Sequence, residues 1–267
     1  MLYVLYVSDS IMKHYFEDIK KSILESEMIV VGLGNEWNIS PKAQQSEKFQ
    51  RIISDLENKP AFQWIMPYVY FKMTDESLLN AYRTLFSLLE GKNYFVVTTT
   101  VNRSFITFAR EGRVVMPCGS DLCMRDDTLS DSTDNQEFLD SLESYIEGRI
   151  SLEEVSFVHD GAGEVVPFNS VYATGYKEEG YLPKWNEYMR WLQGTMNRKT
   201  CLLELGAGLA FPSVFRFPFE RMAFYNLKAT CFRVHKTLYQ LAEEMVVRSK
   251  SVPVHAVELF ACSEDER

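Results

Sequence analysis

Three stretches set small, hydroxylated or amide residues at the ends of apolar runs, where a phosphorylated ligand can meet backbone. Gly32-Leu33-Gly34-Asn35 follows Met28–Val31, Thr98-Thr99-Thr100-Val101-Asn102 follows Tyr94–Val97, and Gly206-Ala207-Gly208 follows Cys201–Leu205. Glycine at a strand end lets backbone amides close on a pyrophosphate, which a side chain would block. The hydroxyls and amide of residues 98–102 suit hydrogen bonds to ribose or carboxamide groups, and threonines equally favour strand ends for steric reasons. Asn35-Glu36-Trp37 follows the first glycine pair and a third glycine is missing, so an ordinary turn explains Gly32 and Gly34 as readily as a dinucleotide fingerprint. Two glycine turns ending two parallel strands point to one shared crevice. Beyond the second turn, Arg216 and Glu220 read as a structural ion pair.

Other chemistries find less support. Cys118 and Cys123 form a C-x4-C pair with no second close pair, whereas a structural zinc site needs four ligands. Cys201 and Cys231 belong to expected buried strands, so zinc is not expected and the thiols read as packing groups. No Ser-His-Asp set, H-E-x-x-H motif, Walker lysine or basic aromatic stripe is present. His14 and His255 fall on an expected surface helix and tail, without a role. Lys plus Arg number 28 against 37 Asp plus Glu, a net charge of −9, which argues against broad binding to nucleic acid or anionic membranes. The apolar run Met1–Val7 and the stretch Cys201–Phe215, broken by Glu204 and glycines, both fall short of the ~20 residues that span a bilayer. Five cysteines without framework spacing favour a reducing, cytoplasmic setting.

Short apolar runs buried on both faces, alternating with helical periodicity, predict an α/β fold with an open parallel sheet. Leu78, Leu79, Tyr82, Leu85, Phe86 and Leu89 form one apolar stripe that stops at Gly91. Trp185, Tyr188, Met189 and Leu192 repeat it before Gly194, and Leu238, Leu241, Ala242 and Met245 predict a further helix. Thr230–Val234 reads as a strand ending at His235. The middle differs: residues 125–137 are polar, 138–152 suggest a helix with Leu139, Leu142 and Ile146 inward, and 159–170 suggest turns around a short strand. The expected organisation is a Rossmann-like core from residues 1–102 and 183–267, with residues 103–182 as a small inserted lobe.

In order, these motifs resemble those of the sirtuin family, nearest its bacterial branch linked to macrodomains and lipoyl carriers. NYFVVTTTVN (93–102) is similar to the family's T-Q-N-I-D or T-T-N-V-D strand, LLELGAGLAFPSVFRFPFE (202–220) to its second nucleotide turn, and residues 224–235 to its last strand. The resemblance implies a sirtuin-like (DHS-like) NAD-binding fold. It also implies NAD or ADP-ribose as ligand, and a protein or lipoyl-carrier substrate for ADP-ribosyl or deacyl transfer. On this basis Gly32, Gly34, Asn35, Thr98, Thr99, Thr100, Asn102, Gly206, Gly208, Leu209 and His235 are the cofactor-binding positions. Asn102 replaces the family's aspartate on the nicotinamide carboxamide, and His235 its terminal asparagine. Cys118 stands where the catalytic histidine would act as general base on a ribose hydroxyl. Such changes imply an NAD binder with weakened or altered transfer. The alternatives are a non-catalytic NAD, ADP-ribose or scaffold protein, and an NAD glycohydrolase in which water replaces the acyl nucleophile. The family's zinc cysteines are mostly gone, so the small lobe must hold by packing.

Overall fold

The computed structural model describes residues 9–125, 133–243 and 247–261. The apolar Met1–Val7, residues 126–132 of the polar stretch, Met245, Cys262 and the charged C-terminal end lie outside the described residues.

Five strands of the sheet run parallel, and their apolar residues are divided between two helical layers. They are β1 (Met28–Leu33), β2 (Tyr94–Thr98), β6 (Thr200–Leu205), β7 (Ala229–Val234) and β8 (Ser249–Val252); the two-residue β3 (Val114–Val115) completes a six-stranded sheet of order β3-β2-β1-β6-β7-β8. Ile29, Val31, Leu33, Tyr94, Val96, Leu203 and Leu205 pack on one face with α1 (Asp9–Glu25), α5 (Glu76–Leu88) and α9 (Ala256–Ala261). Val30, Phe95, Val97, Leu202 and Cys231 pack on the other with α7 (Leu182–Gln193) and α8 (Arg216–Tyr225). The α5 stripe forms as the periodicity predicts, starting where the Asp75 side chain accepts from Leu78 N at 3.0 Å.

A second core lies beside the sheet. It joins α2 (Pro41–Gln44), α3 (Glu47–Asn58) and α4 (Met66–Lys72) to the antiparallel pair β4 (Gly119–Met124) and β5 (Phe168–Ser170) and to α6 (Thr133–Ile146). Its aromatic centre sets Trp64 against Phe138, Phe157 and Phe168. The lobe thus draws on residues 39–73 as well as 124–173, overlapping the expected 103–182 insertion without coinciding with it.

Two expectations are corrected. The segment after β7 is not a helix through Leu238, Leu241 and Ala242: residues 236–242 are irregular. Buried arginines hold that path, with Arg216 Nη2 donating to Leu238 O at 3.1 Å and Arg233 Nη1 to Gln240 O at 2.6 Å. Nor do Arg216 and Glu220 pair. Glu204 and Arg233 are register partners on β6 and β7, so Glu204 meets Arg233 at 2.9 Å and Arg216 at 3.2 Å, while Arg233 reaches on to Glu220 at 2.7 Å.

Candidate functional site

Chain order reverses at β1, whose neighbours β2 and β6 lie on opposite sides, and the carboxyl ends at such a switch point leave a crevice for ligands. A cavity of about 660 Å³ opens there. Its sheet side is formed by Asn35, Glu36, Asn38, Thr99, Gly208, His235, Lys236 and His255, and its lobe side by Ile39, Phe49, Ile53, Tyr70 and Tyr172.

The two glycine turns are locked together below this cavity. Gly34 N donates to Leu205 O at 2.8 Å, and Glu36 N donates to Gly206 O at 3.2 Å. A Cβ on Gly34 would lie 2.1 Å from Gly206 O, and one on Gly208 would lie 2.6 Å from Asn35 Oδ1. Gly206 adopts φ +67°, a left-handed conformation natural to glycine. Beyond it the backbone amides of Gly208, Leu209, Ala210 and Phe211 have no protein partner among the described residues. All four residues border the cavity.

Glu36 ties the strand ends to one another. Its Oε1 accepts from Lys236 N at 3.1 Å and its Oε2 from Ala256 N at 2.8 Å. Burial pushes its carboxyl up to about 7. His235 Nδ1 accepts from Thr237 N and Leu238 N, each at 3.0 Å, so the neutral ring carries its proton on Nε2. Burial, with Arg216 nearby, lowers the His235 pKa to about 4. The 3.5 Å approach of His235 Nδ1 to Glu36 Oε1 therefore brings two acceptors together, each satisfied by the 236–238 loop, and is no salt bridge. His255, expected to be idle near a tail, is buried in the cavity wall, its pKa lowered to about 4 by burial and by the neighbouring Lys236 and His235, and its Nδ1 unpaired.

No protein-family model matches the sequence, and no curated protein matches it. A solved structure describing the mechanism and regulation of Sir2 enzymes aligns over 92% of this chain and 94% of its own, at 12% identity and a TM-score of 0.52. The chain has the fold of the Sir2 enzymes. Two further structures align at 14% identity and a TM-score of 0.49 each. One concerns sirtuin substrate affinity and covers 92% of this chain and 95% of its own. The other is a Sir2 variant with deacetylated p53 peptide and 3′-O-acetyl ADP-ribose, covering 96% and 98%.

On this Sir2-type frame some of the expected site residues border the cavity and the others do not. Asn35, Thr99, Gly208, Leu209 and His235 border the cavity. Gly34 and Gly206 meet each other beneath it, and Gly32 lies within β1, where a Cβ would come 2.4 Å from the Phe215 ring. Thr98, Thr100 and Asn102 are buried in a closed network centred on Asn38. Thr98 Oγ1 donates to Leu33 O at 2.9 Å, and Thr100 Oγ1 donates to Asn38 Oδ1 at 2.6 Å. Asn102 Nδ2 donates to Asn38 O, Tyr70 O and Thr74 Oγ1 at 2.8, 3.1 and 2.9 Å, and its Oδ1 accepts from Ser104 N and Oγ at 2.9 and 2.7 Å. Cys118 is buried before β4, and burial pushes its thiol up to about 12. Among the described residues no group of three or more His, Cys, Asp or Glu is placed to hold a metal, and no helix is long and apolar enough to cross a membrane. Glu36, Asn38, Lys236 and His255 are among the cavity residues to which sequence reasoning assigned no role. The carboxylate directly after a strand-end glycine turn was the available cue for Glu36; His255 offered none.

Proposed function

We propose that this chain binds a nucleoside diphosphate of the NAD/ADP-ribose class in the switch-point cavity and lacks sirtuin-type transfer chemistry at Cys118. The observation that carries the reading is the 208–211 loop: four successive amides without a protein partner among the described residues, bordering a cavity of nucleotide size. Successive free amides form a concavity that suits phosphate oxygens, and Lys236 on the same wall supplies positive charge. The Sir2-type fold supports the same ligand class.

The residues present fit the two halves of NAD unequally. Gly208 to Phe211, His235 and Lys236 suit the adenosine diphosphate half. The nicotinamide half is poorly served, because Asn102 has its side-chain oxygen and nitrogen engaged within the protein. A base at Cys118 is disfavoured because a thiol pushed up to about 12 keeps its proton at neutral pH and has no proton-accepting capacity of thiolate type.

Calorimetry of the full chain with ADP-ribose and with NAD, together with an assay for released nicotinamide, tests the proposal. Binding without nicotinamide release is expected. Release that disappears in Cys118→Ala would restore the transferase or glycohydrolase reading, and absence of binding by both ligands would leave a scaffold.

A further inference from the structure

The cavity holds four buried polar side chains, Glu36, Asn38, His235 and His255, and their hydrogen-bonding capacity is unevenly committed. Both oxygens of Glu36 already accept backbone amides. Asn38 Oδ1 accepts from Thr100 Oγ1 at 2.6 Å and Val101 N at 2.9 Å. A backbone N–H can only donate, so the atom facing Val101 is the oxygen and the amide nitrogen is the other arm. Among the described residues Nδ2 has no protein partner, on a residue 4% exposed in the cavity wall. His235 is fixed in the same sense, its Nδ1 filled by two loop amides and its proton left on Nε2, which has no protein partner among the described residues. His255 is neutral, and its Nδ1 is buried without a hydrogen-bond partner.

Two of these four groups thus offer donors and none offers uncommitted negative charge. Resting on the nucleotide reading above, we infer that Asn38 and His235 make the cavity selective for an acceptor-rich, anionic ADP-ribose-class ligand over intact NAD. A nicotinamide group differs from that ligand by a cationic ring and an amide NH₂, and each requires an acceptor or an anion. The remaining amides on the wall, Asn35, Gln44 and Gln50, are exposed, where water competes with any ligand. Burying an amide without a partner carries the full desolvation penalty of the group.

Calorimetry with ADP-ribose and NAD as separate ligands of the intact chain reads this directly. ADP-ribose is expected to bind at least tenfold more tightly, and millimolar nicotinamide is expected not to displace it. Equal affinities, tighter NAD binding, or displacement by nicotinamide would overturn the inference while leaving nucleotide binding intact. Silence with both ligands would instead remove the nucleotide reading, and the inference with it. Asn38→Asp keeps an oxygen for Thr100 and Val101 while replacing the donor arm with a negative one. It is expected to lose ADP-ribose affinity at least tenfold and to narrow the preference over NAD, with circular dichroism confirming the fold. An unchanged preference in the folded variant would count against Asn38. Should the variant not fold, the wild-type affinity ratio decides.

Discussion

Gly34 and Gly206 touch through their backbones: a Cβ on Gly34 would sit 2.1 Å from the Gly206 carbonyl oxygen. The close approach that each glycine permits is therefore to the other turn. Relief requires β1 and β6 to separate at their carboxyl ends, because neither partner is a flexible side chain. Gly34→Ala is expected to destabilise the fold by about 2 kcal/mol or more, by the mechanism of overpacking. Gly208→Ala meets the Asn35 side chain, which can turn aside, and is expected to cost about 1 kcal/mol or less. Urea midpoints for the two variants check the order. Equal losses would mean that the two turns are not locked as described.

Asn102 cannot be converted into the aspartate of the sirtuin motif by one substitution. Its Nδ2 faces the carbonyl oxygens of Asn38 and Tyr70, so a carboxylate oxygen there would oppose two acceptors. Asn102→Asp is expected to lose about 3 kcal/mol or more at pH 7, since the new carboxylate oxygen is buried against two carbonyl oxygens where the amide donated, and Ser104 serves only the other oxygen. Part of the loss should return at low pH, as protonation restores a donor. A variant within 1 kcal/mol of wild type at pH 7, on the scale of a weak hydrogen bond, would contradict the closed network.

The strand ends were legible because parallel strands buried on both faces are written as short apolar runs, and β1, β2, β6 and β7 lie where those runs fall. β8 is Ser-Lys-Ser-Val, too polar to register, and it became visible only through pairing with β7. The apolar spacing of Leu238, Leu241 and Ala242 imitates a helix, yet arginines 216 and 233 fasten that backbone in another path. Within the site, residue types were legible and commitments were not. Thr100 and Asn102 look free to bind a ligand until Asn38, more than sixty residues earlier, closes on them. His255 gained its place from the turn after β8, which no local pattern announces.

Cysteine reactivity should follow burial. Cys118, Cys201 and Cys231 are buried, and burial raises all three thiols, to about 12 for Cys118 and Cys201. Cys123 is exposed. Iodoacetamide at pH 8 followed by peptide mass mapping is expected to modify Cys123 well before these three, because thiolate fraction and access govern the rate. Rapid modification of Cys118 in the native protein would reveal an activated thiol and reopen the catalytic reading.

Protonation of the cavity wall should appear in stability. His235 and His255 fall from 6.5 to about 4 on folding, so the unfolded chain binds more protons between those values and their stabilisation is lost as pH drops through that window. Glu36 acts in the opposite direction. Its carboxyl rises from 4.5 to about 7, so the folded state holds the extra proton and stability falls as pH climbs from 4.5 to 7. Glu36→Gln removes only the second contribution. Its stability relative to wild type is therefore expected to improve with pH across that interval, by about 3 kcal/mol in total at ~1.4 kcal/mol per pH unit. A constant offset is superimposed, since the amide presents one acceptor where the carboxylate presents two to Lys236 N and Ala256 N. Urea unfolding of both proteins at half-unit steps from pH 4.5 to 7.5 measures the difference. A flat difference would place Glu36 at an ordinary carboxylate pKa, with its two backbone donors offsetting the cost of burial.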